Sequence, residues 1–476
     1  MLFTSLEFLL FLPIAVLLFW GLPARFRLTW LILASVGFYA SFGVGNLAYL
    51  AVVIAITLAA GRVLLRPDAS HRKAIFYGSL AAILGLLVAL KYYDPIAKEL
   101  AWLPALGLRS PAGFSFYAFT AIALLVDRYR SPDTASASLK QDILFLAWFP
   151  KILAGPIERI GSFAEALGKQ SRLKPAHFAF GCQLILWGLV KKVVIADNLA
   201  PFVDRTYAIP GYAVPIELII ATYFFAFQIY CDFSGYTDMA RGASQLFGIR
   251  LSENFRRSYF AHSISDFWSR RWHISLASWF RDYLYYPVVG EKRTALRMYL
   301  GVMLVFLASG IWHAGLGYGI GWGFLVWGGL NGCYLWAERA LGPMRRRIKG
   351  RLRGTLLGRV YTIATIVLVF HLILISWIFF RDGTLSGSMT ILRRIWATLP
   401  ELPNLLAHYP FTAEHGFLAA LILALLAIEL VLEQRGLKRR LARAPRLVRW
   451  VGWYACIFAL LLLGRWQSEA FVYMQF

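Results

Sequence analysis

MYLGVMLVFLASGIWHAGLGYGIGWGFLVWGGLNGCYLWA, residues 298–337, contains no Asp, Glu, Lys or Arg. A helix that crosses the hydrocarbon of a bilayer needs about 20 mostly apolar residues, so the stretch reads as two spans, near 298–313 and 318–338. One histidine, His313, lies inside it. The glycines from Gly310 through Gly323 weaken a straight helix and predict a break where backbones approach closely or line a cavity.

Outward from this stretch the same pattern recurs. Further apolar runs lie near 5–20, 28–43, 46–61, 74–90, 112–127, 178–196, 214–232, 358–380, 414–433 and 450–464. With 59% hydrophobic and only 16% charged residues, and a mean hydropathy of +0.60, the chain is expected to be an all-α polytopic membrane protein with about 11–12 transmembrane helices. The first run has the leading residues MLFTSLE, which carry Glu7 and no Lys or Arg, and no small-residue cleavage site follows Trp20. It reads as a retained span, not a cleaved signal peptide.

The net charge of +24 would point to nucleic acid in a soluble protein. Here the charge gathers between spans, in Arg62, Arg66, Arg72 and Lys73, in the run from Arg345 to Arg353, and in the run from Arg435 to Arg449. Clusters beside membrane helices hold loops in the cytoplasm and attract anionic lipid, so the expected partner is membrane lipid and not nucleic acid. Six spans separate the first two clusters and two separate the second from the third, so all three can be cytoplasmic with both termini outside. Cys182, Cys231, Cys333 and Cys456 stand singly within or at the ends of apolar segments, without metal-ligand spacing, and no metal site is expected.

Two interruptions break the pattern. FLAWFPKILAGPIERI, 145–160, is too short and too broken by proline and glycine to span, and reads as re-entrant. From Cys231 to Arg293 the chain turns amphipathic, dense in aromatic residues and arginine, as expected of helices lying in the membrane interface. No linker or internal repeat divides the chain, which reads as one membrane domain over 1–476.

An ionisable group at membrane depth usually faces a protein interior or an aqueous path and marks a functional site. The competing reading of His313 is a core histidine that hydrogen-bonds a neighbouring helix; the residues alone leave both open. Neutral imidazole can accept a proton from a hydroxyl, which suits a general base. His273, within WSRRWHISLASWFRD, is the second histidine of interest, with an interfacial histidine as its bland alternative. His262 and Asp266 lack the spacing of a glycerol-phosphate acyltransferase box, no G-x-S-x-G elbow is present, and the glycines of GLGYGIGWG follow no strand and precede no lysine, which removes hydrolase and nucleotide-loop readings.

Seven blocks in order carry a resemblance along nearly the whole chain: MLFTSLEFLLFLP, WFPKILAGPIER, DFSGYTDMARGASQLFGIRLSENF, SISDFWSRRWHISLASWFRDYLYYPVVG, SGIWHAGLGYGIGWGFLVWGGLNG, ISWIFFR and AFVYMQF. With them the sequence resembles the membrane-bound O-acyltransferase superfamily, and within it the bacterial alginate O-acetyltransferase type. The resemblance implies an all-helical bundle enclosing a funnel, with N-terminal spans over 1–130, a catalytic core over 140–340 and C-terminal spans over 345–476. It implies acyl transfer from a cytoplasmic thioester donor, acetyl-CoA or an acyl carrier protein, to a hydroxyl, with no bound cofactor. The resemblance makes His313 the essential residue and His273 its companion. Asp232, Asp238, Asn254, Trp272, Arg281, Asp282, Trp312 and Asn331 are candidates for orienting groups or funnel lining. It further implies a bacterial inner-membrane location and a periplasmic SGNH-hydrolase-like acetyltransferase as partner. The expected acceptor is an exported polysaccharide, with peptidoglycan and D-alanylated teichoic acid as alternatives. Two departures stand out: Ala314 where the family commonly has glycine, and Asn331 where it often has histidine. From a different functional class, a transporter or export channel would also suit a broken helix with a lone histidine, although no inverted repeat is visible; a non-enzymatic scaffold subunit would not need one.

Overall fold

The computed structural model describes residues 1–100, 102–108, 110–133, 137–168, 174–314, 321–434, 444–466 and 471. Among the described residues every regular element is a helix. Each apolar run anticipated from the sequence contains one. Eight helices are long and apolar enough to cross a membrane: Val44–Leu64, Arg72–Glu99, Pro175–Ala208, Pro215–Leu246, Ala295–His313, Leu356–Asp382, Ala413–Glu433 and Arg446–Leu463. The other anticipated runs form Leu6–Gly21, Ala24–Ala40, Phe114–Arg130 and Trp322–Ala340, which are shorter or, in the last case, diluted by glycine, asparagine and charge at the far end.

The largest difference from expectation is Pro215–Leu246. The span expected to stop at 232 continues as one helix through DFSGYTDMARGASQL, because Phe233, Tyr236, Met239, Ala240 and Ala243 are all buried in protein. Its polar residues are therefore spared contact with hydrocarbon. In the 145–160 segment Leu139–Ala147 ends, a single turn Phe149–Ile152 follows, and residues from Leu144 to Ala154 are buried.

The chain divides into two compact units. The first comprises Met1–Leu189, Gly235–Glu253 and Ser468–Phe476. Within it, Gly181 and Gly242 let two helices touch: a Cβ on Gly242 would fall 2.6 Å from the Gly181 carbonyl oxygen. Small residues of this kind set close helix contacts in membranes, where apolar surface alone gives helices no preference for one another over lipid. Arg128 and Asp142 form a buried ion pair at 2.7 Å. Lys151 and Glu158 are also buried. Glu158 accepts from the Ser252 backbone N–H at 2.6 Å and from its hydroxyl at 3.0 Å. Desolvation pushes Lys151 down to about 7 and Glu158 upward.

The second unit comprises Val190–Ser234 and Asn254–Gln467. It contains both candidate histidines. Its three central helices are Ala295–His313, Trp322–Ala340 and Leu356–Asp382. Glycine again sets the packing. A Cβ on Gly310 would lie 2.4 Å from the Phe324 carbonyl oxygen, and one on Gly328 would lie 2.4 Å from that of Phe306. Trp322–Ala340 is tied to the end of Leu356–Asp382 by the Gly323 N–H, which donates to the Gly383 carbonyl at 2.9 Å.

Candidate functional site

His313 is the last residue of its helix. The Ala314 N–H closes the end by donating to the Gly310 and Ile311 carbonyls at 3.1 and 3.0 Å. Ala314 itself is buried and lies against Gly321, where a Cβ would fall 3.0 Å from that of Ala314. The extra methyl at this departure is therefore matched by a missing one opposite. The glycine-rich residues 315–320 lie outside the described residues.

The glycine contacts place rings from all three helices around the His313 imidazole, which is 2% exposed. Trp312 stands 4.5 Å away between ring centroids, Phe380 at 4.9 Å, Trp327 edge-on at 5.4 Å and Phe324 at 6.3 Å. From Trp327 a run of rings continues to Trp377 at 6.3 Å, to Trp272 at 4.9 Å and to Phe255 at 5.1 Å, with His273 a further 6.2 Å on. The two histidines thus share one aromatic cluster.

His273 is held very differently. It caps Ile274–Phe280 with a left-handed backbone, φ 44°, unusual for a residue with a side chain. Such strain persists where the surroundings fix it. Asn254 does so twice: its carbonyl oxygen accepts the Ile274 N–H at 3.0 Å, and its Oδ1 accepts from the Ser275 N–H at 3.1 Å, the Ser275 hydroxyl at 2.9 Å and His273 Nδ1 at 3.2 Å. An oxygen that takes a backbone N–H can only accept, so Nδ1 carries the proton and Nε2 keeps the lone pair. Burial pushes the imidazole down to about 3, so it is neutral at ordinary pH.

Charges brace the segment leading to His273. Glu433 accepts from Arg257 Nε at 2.6 Å and Arg271 Nη2 at 2.8 Å, while Asp266 accepts from Arg271 Nε at 2.7 Å. Glu338 takes the Ile264 N–H at 2.6 Å. The backbone is π-helical at Phe267–Arg271 and Arg281–Tyr285, local distortions that recur at functional sites.

The remaining candidates are distributed less closely. Trp272 is buried within the aromatic cluster. Asn331 bridges structure: its Oδ1 accepts from Trp268 Nε1 at 3.0 Å and its Nδ2 donates to the Trp327 carbonyl at 2.8 Å. Asp232 lies in a buried ionic group, accepting from Lys192 Nζ at 2.6 Å, with Asp197 on the same ammonium at 2.8 Å. Asp238 belongs to the first unit and pairs with Arg241 at 3.0 Å. Arg281 and Asp282 pair with each other at 3.1 Å, with the Arg281 side chain 52% exposed. Sequence reasoning singled out neither Trp327, Trp377 and Phe380 nor Lys192, Arg271 and Glu433. The three aromatic residues stood in blocks already quoted, GFLVWGGLNG and ISWIFFR; the ionic partners gave no signal, because their pairing depends on the fold. Among the described residues no group of three or more His, Cys, Asp or Glu side chains could hold a metal ion.

A family model described as MBOAT, membrane-bound O-acyltransferase family, matches residues 106–381. The chain belongs to the membrane-bound O-acyltransferase family. It is 34% identical to the "Probable alginate O-acetylase AlgI" of Azotobacter vinelandii over 81% of this chain and 76% of that one. It is 32% identical to the peptidoglycan O-acetyltransferase of Helicobacter pylori over 82% of this chain and 78% of that one. A more distant match, 27% identical over 50% of this chain and 62% of the other, is the teichoic acid D-alanyltransferase of Bacillus subtilis. As a membrane-bound O-acyltransferase the protein is an enzyme of acyl-group transfer that draws on an acyl donor as co-substrate. Such chemistry asks for a positioned donor, a base for the acceptor hydroxyl and a donor of hydrogen bonds to the carbonyl oxygen as it gains charge.

Proposed function

We propose that this enzyme passes an acetyl group from a cytoplasmic thioester across the bacterial inner membrane for O-acetylation of an exported polysaccharide, with His313 as general base. The observation that carries this reading is a buried histidine at a glycine-packed helix end, enclosed by aromatic rings from three helices, in an O-acyltransferase similar to alginate O-acetylases. The hydroxyl adds to the thioester carbonyl carbon and gives its proton to His313. Collapse of the adduct re-forms the carbonyl, breaks the C–S bond and returns that proton to the departing thiolate. His273, neutral and fixed by Asn254, orients the reacting groups from the other end of the cluster. The donor is acetyl-CoA or an acyl carrier protein. The immediate acceptor is a residue of a periplasmic SGNH-hydrolase-like partner or the polymer itself.

The test is His313→Ala in the native host, with the protein normally expressed and inserted. Ester-linked acetyl on the polymer should fall to the level of a deletion strain. Full retention would remove His313 from the chemistry. Mass spectrometry of the same material separates the substrates: acetyl on a secreted polysaccharide supports the reading, whereas acetyl lost from peptidoglycan or D-alanine lost from teichoic acid moves the enzyme to those acceptors, which relatives of both kinds make the second reading.

A further inference from the structure

Indole N–H groups that are buried normally find an acceptor, and a buried donor left without one destabilises the fold. In the His313 cluster one tryptophan obeys: Trp268 donates to Asn331. Two do not. Trp327 is 2% exposed and Trp377 is fully buried, and neither Nε1 has a hydrogen-bond partner among the described residues. Trp327 meets the imidazole edge-on at 5.4 Å, and Trp377 stands one ring further out, against Phe380, which lies 5.2 Å from it and 4.9 Å from His313. Their rings are nearly parallel, 14° apart and separated by 6.3 Å, and they come from two different helices held together at Gly323 and Gly383.

Two uncompensated donors within two rings of a base destabilise the fold unless a ligand supplies the acceptor. The reaction supplies one. When the hydroxyl adds to the thioester, the carbonyl π pair moves onto oxygen, which becomes an anion with no protein cation beside it among the groups placed around His313. Resting on the assignment of His313 as base, we propose that the indole N–H groups of Trp327 and Trp377 donate to that oxygen and form the oxyanion site of the transfer. Asn331 then has a separate task. By occupying Trp268 it keeps that indole from the substrate oxygen, and through its bond to the Trp327 carbonyl it fixes the turn that carries one of the proposed donors.

The ring must be kept while the N–H is removed. Benzothienylalanine, in which sulfur replaces the indole N–H, is introduced by codon suppression at 327 or 377 in the full-length protein in its native host, with tryptophan returned at the same codon as control. The readout is the initial rate at which cells add the ester-linked acyl group that a deletion strain lacks, normalised to folded protein measured by thermal unfolding in detergent. Each replacement should lower the rate about 10²–10³-fold, as loss of one oxyanion donor does, with the unfolding temperature unchanged or raised. A rate within twofold of the control overturns the proposal. So does a loss matched by loss of folded protein, which would mean that the N–H groups serve packing against neighbouring ring faces. His313→Ala runs in parallel. An active His313→Ala with inactive ring replacements would refute the base and leave the donors standing, and the reverse pattern would refute the donors alone.

Discussion

Asn254 shows how a single amide can fix the surroundings of a buried histidine. Three donors converge on its Oδ1, from His273 and twice from Ser275, and each would be left buried without an acceptor if the side chain were removed. Asn254→Ala is therefore expected to destabilise the protein by about 2 kcal/mol or more and to lower acyl transfer at least about tenfold by freeing the His273 ring. Asn254→Asp, which keeps an accepting oxygen, should retain more of both; unfolding temperature in detergent and polymer acylation measure the two. A milder alanine variant than aspartate variant would show that Asn254 does not act through its oxygen. At this scale the sequence was readable in part. His313 announced itself as an ionisable residue in an uncharged run, and Trp272 and His273 as neighbours in a dense block. That Asn254 grips His273 was invisible, since residues nineteen positions apart meet only after the short helix and π-turns between them have formed.

At the scale of helices, the legible features were those set by local composition. Apolar runs located every long helix, and the glycine density near 310–323 predicted a break: one helix ends at His313 and the next begins at Trp322. Less legible was the extension of Pro215–Leu246, because a polar stretch buried in protein carries the same letters as one lying in water. The partner choice of the glycine faces was equally hidden. It is now specific enough to test. A side chain at Gly328 would strike the Phe306 backbone, whereas a Cβ on adjacent Gly329 meets nothing within 4 Å. Gly328→Leu should cost about 1–3 kcal/mol or more by overpacking and displace Trp327 from His313, lowering polymer acylation. Gly329→Ala should leave unfolding temperature and acylation near wild type. Equal effects of the two would mean that this face does not set the helix contact.

For the molecule as a whole, counting spans between basic clusters supports the proposed orientation, with all three clusters cytoplasmic and both termini outside. The answer does not depend on which count is used. With the eight long helices alone, one precedes the Arg62–Lys73 cluster apart from its own helix ends, four lie between it and Arg345, two follow to the third cluster and one comes last. Adding Leu6–Gly21, Ala24–Ala40, Phe114–Arg130 and Trp322–Ala340 inserts helices in pairs, so every parity is kept. Cysteines introduced at Ser70 and Lys349 should thus react with a membrane-impermeant maleimide only after the inner membrane is opened, and one introduced at Thr4 should react in spheroplasts. The opposite pattern would invert the topology. The aromatic cluster has a consequence of another kind. Trp327 and Trp377 lie nearly parallel, and Trp272 stands 4.9 Å from Trp377, close enough for their electronic transitions to couple. An imidazolium quenches indole emission more strongly than imidazole does, so a proton arriving on His313 would dim Trp327 at 5.4 Å. On the proposal that His313 is the base, the enzyme carries its own optical reporter, in which near-ultraviolet dichroism registers the arrangement of the rings and fluorescence a proton on the imidazole.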